Sequence, residues 1–131
     1  TSTAVLAQSL PPATVYKSST CGCCTDYVMY LCAQGMKVTS IDHNNMNALR
    51  AQMGTSKVAS CHTVKVGNYV VEGHVPIAAI RKMVAEKPNI KGIALPGMPY
   101  NSPGMGPEKK GSLKVLSINR AGNVQGVYVT L

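Results

Sequence analysis

Between Thr14 and Glu86 the apolar residues switch back and forth between alternating and helical spacing, with glycine, asparagine or proline at the changes. Few architectures fit such a chain, because a period of 2 suits a strand face and a period of 3.6 a helix face. Residues 14–18 (TVYKS) follow Pro11-Pro12 and read as a short strand, and residues 19–22 as a turn. From 23 to 34 the spacing is helical: Cys24, Val28 and Leu31 fall at i, i+4 and i+7, and Gly35 supplies the stop. Residues 37–42 (KVTSID) form a second strand, and Asn44-Asn45 can cap a short helix over 46–53 that Gly54 ends. Runs 62–66 and 69–72 flank Gly67-Asn68, a strong hairpin signal. Pro76 suits the first turn of a helix over 77–86, with Ile77, Ile80 and Val84 on one face and Pro88 beyond its end. Residues 96–107 (PGMPYNSPGMGP) hold too much glycine and proline for a regular element. Two strand-like runs, 113–119 and 124–130, close the chain around Arg120-Ala121-Gly122-Asn123.

Strand, helix, strand, short helix, hairpin, helix is the order of a thioredoxin-like domain. The expectation is therefore a single α/β domain with a mixed central sheet, plus a Gly/Pro-rich loop and a C-terminal β-hairpin. Residues 1–13 read as a flexible N-terminal extension and 14–131 as the domain. The 131 residues suffice for one core, and with Phe and Trp absent that core must rest on aliphatic residues, Met and six Tyr. No apolar run approaches the ~20 residues that cross a bilayer. Net charge is +8, from 13 basic and 5 acidic residues. The basic residues are mostly single, with pairs only at Arg81-Lys82 and Lys109-Lys110. No helix-turn-helix, zinc-finger spacing or aromatic-rich strand accompanies them, so a solvated basic surface is expected rather than a nucleic-acid face. Such a field favours an acidic protein partner. The start, TSTAVLAQSL, shows no leader, and the residues alone leave the compartment open.

The chemistry concentrates in the cysteines. Residues 20–24 read TCGCC, so Cys21, Cys23 and Cys24 crowd the turn between the first strand and the first helix. A helix N-terminus carries partial positive charge and stabilises thiolate over thiol. Thiolate is both nucleophile and metal ligand, so a Cys21/Cys24 redox couple and a metal site both remain open. Three features favour metal. A third thiol would compete in disulfide exchange. At the place where thioredoxins carry a cis-proline, this chain has Ser60-Cys61-His62. Met98 and Met105 each stand in a PGM triplet of a loop that cannot pack as a helix face. Structural zinc takes spaced knuckles. Adjacent Cys23-Cys24 suits bridging between ions, and thiolate, thioether and imidazole together favour Cu(I). An iron–sulfur cluster lacks a fourth cysteine at usual spacing.

Cys32 lies eight residues past Cys24 on the same helix, roughly 12 Å along its axis. It cannot share the site and reads as a small buried hydrophobe. Met29, Met36, Met46, Met53 and Met83 read as packing residues. His43 reads as a surface residue or cap. His74, in the run EGHVP, is either a surface loop histidine or a site residue, since it ends a strand on the same side of the fold as the cysteine turn.

The blocks VYKSSTCGCC, ASCHT, YVVEGHVP and GIALPGMPYNSPGM, in that order, resemble the CopG-type copper-resistance family, long catalogued as a domain of unknown function with predicted metal binding. The resemblance covers about residues 14–130. It implies a periplasmic, thioredoxin-like protein with a cysteine-bridged cluster of several copper ions and a role in interconverting Cu(I) and Cu(II). The family's motifs fall on Cys21, Cys23 and Cys24, on Cys61 and His62, on His74, and on Met98 and Met105. The implied partners are copper ions and other periplasmic copper-handling proteins, with no nucleic acid and no membrane span, and the chain is expected to be a monomer. A passive copper store or chaperone would use the same ligands.

Overall fold

In the computed structural model the described residues are 10–18, 22–55, 62–96, 111 and 113–131, with the side chains of 22–24 excepted. In chain order the elements are β1 (Ala13–Lys17), α1 (Gly22–Ala33), β2 (Val38–Asp42), α2 (Met46–Met53), β3 (His62–Val66), β4 (Tyr69–Gly73), α3 (Ile77–Glu86), β5 (Gly92–Leu95), β6 (Lys114–Ile118) and β7 (Val124–Thr130). The strands form one mixed sheet in the order β2-β1-β3-β4-β5-β6-β7. β1 runs parallel to β2 and antiparallel to β3, which hairpins into β4. With its three helices, this part has the thioredoxin-like arrangement expected from the element order.

Local chemistry explains the boundaries. The Asn45 side chain accepts from Ala48 N–H at 3.1 Å and caps α2, while Gly54 ends it in the left-handed region at φ 80°. His43 Nδ1 accepts from Asn45 N–H at 3.2 Å, so this histidine does serve the cap. α3 stops at Lys87, whose N–H bonds Met83 O at φ 50°, one residue before Pro88.

The core lies between one sheet face and helices α1 and α3. Tyr27 and Leu31 of α1 and Ala79, Ile80 and Met83 of α3 pack with Val15, Val64, Val66, Val71 and Ile93. Alternate strand positions point to the other face, where Ala94 and Ile118 make a small second cluster and Arg50 of α2 reaches Glu72 of β4.

The expected C-terminal hairpin forms from β6 and β7. β5, which the sequence reading missed, pairs parallel with β4 and antiparallel with β6, so the hairpin continues the same sheet. Tyr128 of β7 also donates to Glu86 of α3 at 2.7 Å, under Lys82. Three expectations about α1 need correction. The buried stripe of α1 runs through Tyr27 and Leu31, with Val28 only half-buried. Cys32 is exposed rather than buried, because it falls outside that stripe. Met29 shares its side of the helix and is 65% exposed, whereas Met36 and Met83 are buried as expected.

Candidate metal centre

β1 ends at Lys17 opposite His62, the first residue of β3. In sequence, TCGCC begins three residues after Lys17, and Cys61 immediately precedes His62. Cys23 and Cys24 stand in the first turn of α1. Cys21, Cys61, Met98 and Met105 lie outside the described residues, as do the side chains of Cys23 and Cys24. Among the described residues no three histidine, cysteine or acidic side chains gather as a metal-holding group.

The two predicted histidines do come together. His62 and His74 are both fully buried, with ring centroids 4.9 Å apart and planes at 63°. The surface-loop alternative for His74 therefore gives way to a buried position. The backbone explains this. Gly73 adopts φ 87°, a conformation that side chains other than glycine's rarely enter. That turn brings Val75 N–H back to Gly73 O at 2.9 Å and folds His74 against His62. Each residue of the EGHVP run has a part: Glu72 bonds Arg50, Gly73 makes the turn, His74 meets His62, Val75 accepts from Tyr27, and Pro76 precedes α3.

His62 Nε2 lies 3.0 Å from Gly73 O. A carbonyl can only accept, so Nε2 carries the hydrogen and Nδ1 keeps its lone pair. Nδ1 is buried and has no hydrogen-bond partner among the described residues. Burial first, then the neighbouring His74, push His62 down to about 3, which leaves the ring neutral at ordinary pH. A neutral imidazole with one N–H held by a backbone carbonyl and the other nitrogen open is the usual preparation of a histidine ligand.

α1 supplies the wall. Tyr27 stacks on His62 at 4.6 Å and lies 5.1 Å from His74. Its hydroxyl donates to Val75 O at 2.6 Å, and Tyr30 Oη accepts from Ile77 N–H at 2.9 Å. The second bond satisfies a first-turn donor of α3, whose N-cap Pro76 makes no side-chain cap. Sequence reasoning missed Tyr27, Tyr30, Arg50 and Glu72. Only the i, i+3 spacing of the tyrosines gave any signal.

Two solved structures resemble this chain along nearly its whole length. "Copper resistance protein copG- Form 1" is 34% identical with a TM-score of 0.80, covering 94% of this chain and 98% of that one. "Copper resistance protein copG- Form 2" is also 34% identical, with a TM-score of 0.83, and covers 94% and 99%. The chain belongs to the CopG copper-resistance family. The family described as "Protein of unknown function, DUF411" also matches, over residues 58–105. That span of this chain holds Cys61, His62, His74, Met98 and Met105. No curated protein matches. Among the described residues of this CopG-family chain, no helix is long and apolar enough to cross a membrane.

Proposed function

We propose that this CopG-family protein is a periplasmic copper-binding protein of copper resistance, holding Cu(I) as cargo on the thiolates of Cys21, Cys23, Cys24 and Cys61. Likeness to copper-resistance proteins along nearly the whole chain supports the copper assignment. His62 Nδ1 completes the donor set, His74 adjoins it, and Met98 and Met105 offer thioethers from the Gly/Pro-rich loop. The observation that carries the reading is the open Nδ1 of His62, buried beside α1. Tyr27, stacked on that ring, follows Cys23 and Cys24 by four and three residues, a spacing that shares one helix face. Thiolate, imidazole and thioether suit Cu(I). The α1 N-terminus, with no acidic residue in its first turn, favours thiolates at Cys23 and Cys24.

Adjacent Cys23 and Cys24 would bridge more than one copper ion. Bridged ions share charge, so the site could interconvert Cu(I) and Cu(II), each ion exchanging one electron with an external partner. Anaerobic titration of the reduced protein with Cu(I) tests this. The expected result is more than one ion bound per chain, with reduced uptake by Cys23→Ser. A single ion per chain, or unchanged uptake by that variant, contradicts it.

The placement of α1 directly after β1 also favours a second reading, a thiol–disulfide oxidoreductase using Cys21 and Cys24. That activity would turn over dithiols without metal and survive His62→Gln. Storage without redox turnover would instead show the full copper count with no metal-linked electron transfer.

A further inference from the structure

A buried charged pair lies directly behind the histidines. Arg50 on α2 is 7% exposed and Glu72 on β4 is fully buried. Arg50 Nε donates to Glu72 Oε2 at 3.0 Å, and Thr63 Oγ1 donates to Glu72 Oε1. Thr63 and Glu72 are register partners across the β3–β4 ladder. They are also the immediate neighbours of His62 and Gly73, the two residues joined by the ring-to-carbonyl bond. Arg50 also holds the end of α2. Its carbonyl accepts the N–H of Gly54 and of Thr55, where the chain leaves α2.

Stability alone explains this arrangement poorly, because apolar residues of similar volume commonly replace a buried ion pair at no loss. Two directed bonds on one carboxylate supply what apolar packing lacks, a fixed relation between three chain segments. Those segments are the end of α2, the start of β3 and the end of β4. Two of them carry His62 and His74, and the third leads to Cys61.

We propose that Arg50, Glu72 and Thr63 form a positioning network that holds His62 in its ligating tautomer, with Nε2–H on Gly73 and Nδ1 open for copper. This rests on the copper-binding reading above. The network touches no copper and acts through the β3–β4 register at the site.

The test compares wild type with the double variant Arg50→Met/Glu72→Leu. One readout is the ¹⁵N signals of the His62 ring in metal-free, reduced protein at neutral pH. The other is Cu(I) affinity, measured against a chromogenic Cu(I) chelator. Wild type should show one tautomer, protonated at Nε2. The double variant should melt near the wild-type temperature, yet show averaged ring signals and bind Cu(I) about 10- to 100-fold more weakly. Arg50→Lys, which keeps the charge, should restore much of both. If the double variant does not fold, Glu72→Gln keeps the volume and serves the same comparison. A variant that keeps one tautomer and wild-type affinity overturns the proposal. Loss of the fixed tautomer in the variant, with no Cu(I) bound by either protein, supports the network and overturns the copper reading.

Discussion

His62 shows how one residue can be held ready for a ligand. In an unfolded chain a histidine titrates near 6.5, whereas in the fold His62 titrates near 3. Between those values the unfolded state binds the extra proton. Stability therefore rises with pH across this window and is lost as pH falls through it. This ring contributes a slope of up to about 1.4 kcal/mol per pH unit. Urea melts of metal-free, reduced protein from about pH 6.5 down to about pH 4 should show that loss, and His62→Gln should remove this part of the slope. A slope unchanged in the variant would mean that the ring is not held neutral. Cysteine crowding and the CH and EGH motifs were legible in the sequence, because ligand types at unusual spacing stand out. The tautomer was not, since it depends on a carbonyl eleven residues away that only the β3–β4 pairing brings near.

At the scale of elements, α1 does two jobs. Its first turn carries Cys23 and Cys24, and its next turn ties down the β4–α3 connection through Tyr27 and Tyr30. Tyr30→Phe should cost about 1 kcal/mol in urea denaturation and speed hydrogen exchange at the Ile77 amide. Unchanged exchange would show that this bond does not hold the first turn of α3. The boundaries of α2 and of the β3–β4 hairpin were readable from caps and turn residues, which act locally. β5 was not. Its sequence GIAL is short, buried on both faces and without alternation, so no period marks it. Gly92 opens it because an added Cβ would fall 1.9 Å from Val70 O. Gly92→Ala should therefore cost about 3 kcal/mol of stability, by disturbing the β4–β5 pairing. A cost within a few tenths of a kcal/mol would contradict that close approach.

For the whole molecule, the sheet sets the division of labour. One face carries the core with α1 and α3, and the other takes α2 and the buried Arg50–Glu72 pair. The end of β1, the start of β3 and the end of β4 lie side by side, and His62 and His74 meet there. Element order was enough to anticipate these neighbours, since the thioredoxin-like order fixes which strand ends are adjacent. It could not reveal that β6 and β7 extend the sheet, because that join depends on β5. Nor could it reveal Arg50, which looks like any charged helix residue until Glu72 faces it. The central claim is that the thiolates of Cys21, Cys23, Cys24 and Cys61 share copper with His62. X-ray absorption of the Cu(I)-loaded protein tests it most directly. The account predicts mainly sulfur around copper, a nitrogen contribution that His62→Gln removes, and a short copper–copper distance. An isolated two-sulfur copper, unchanged by Cys61→Ser and by His62→Gln, would contradict it.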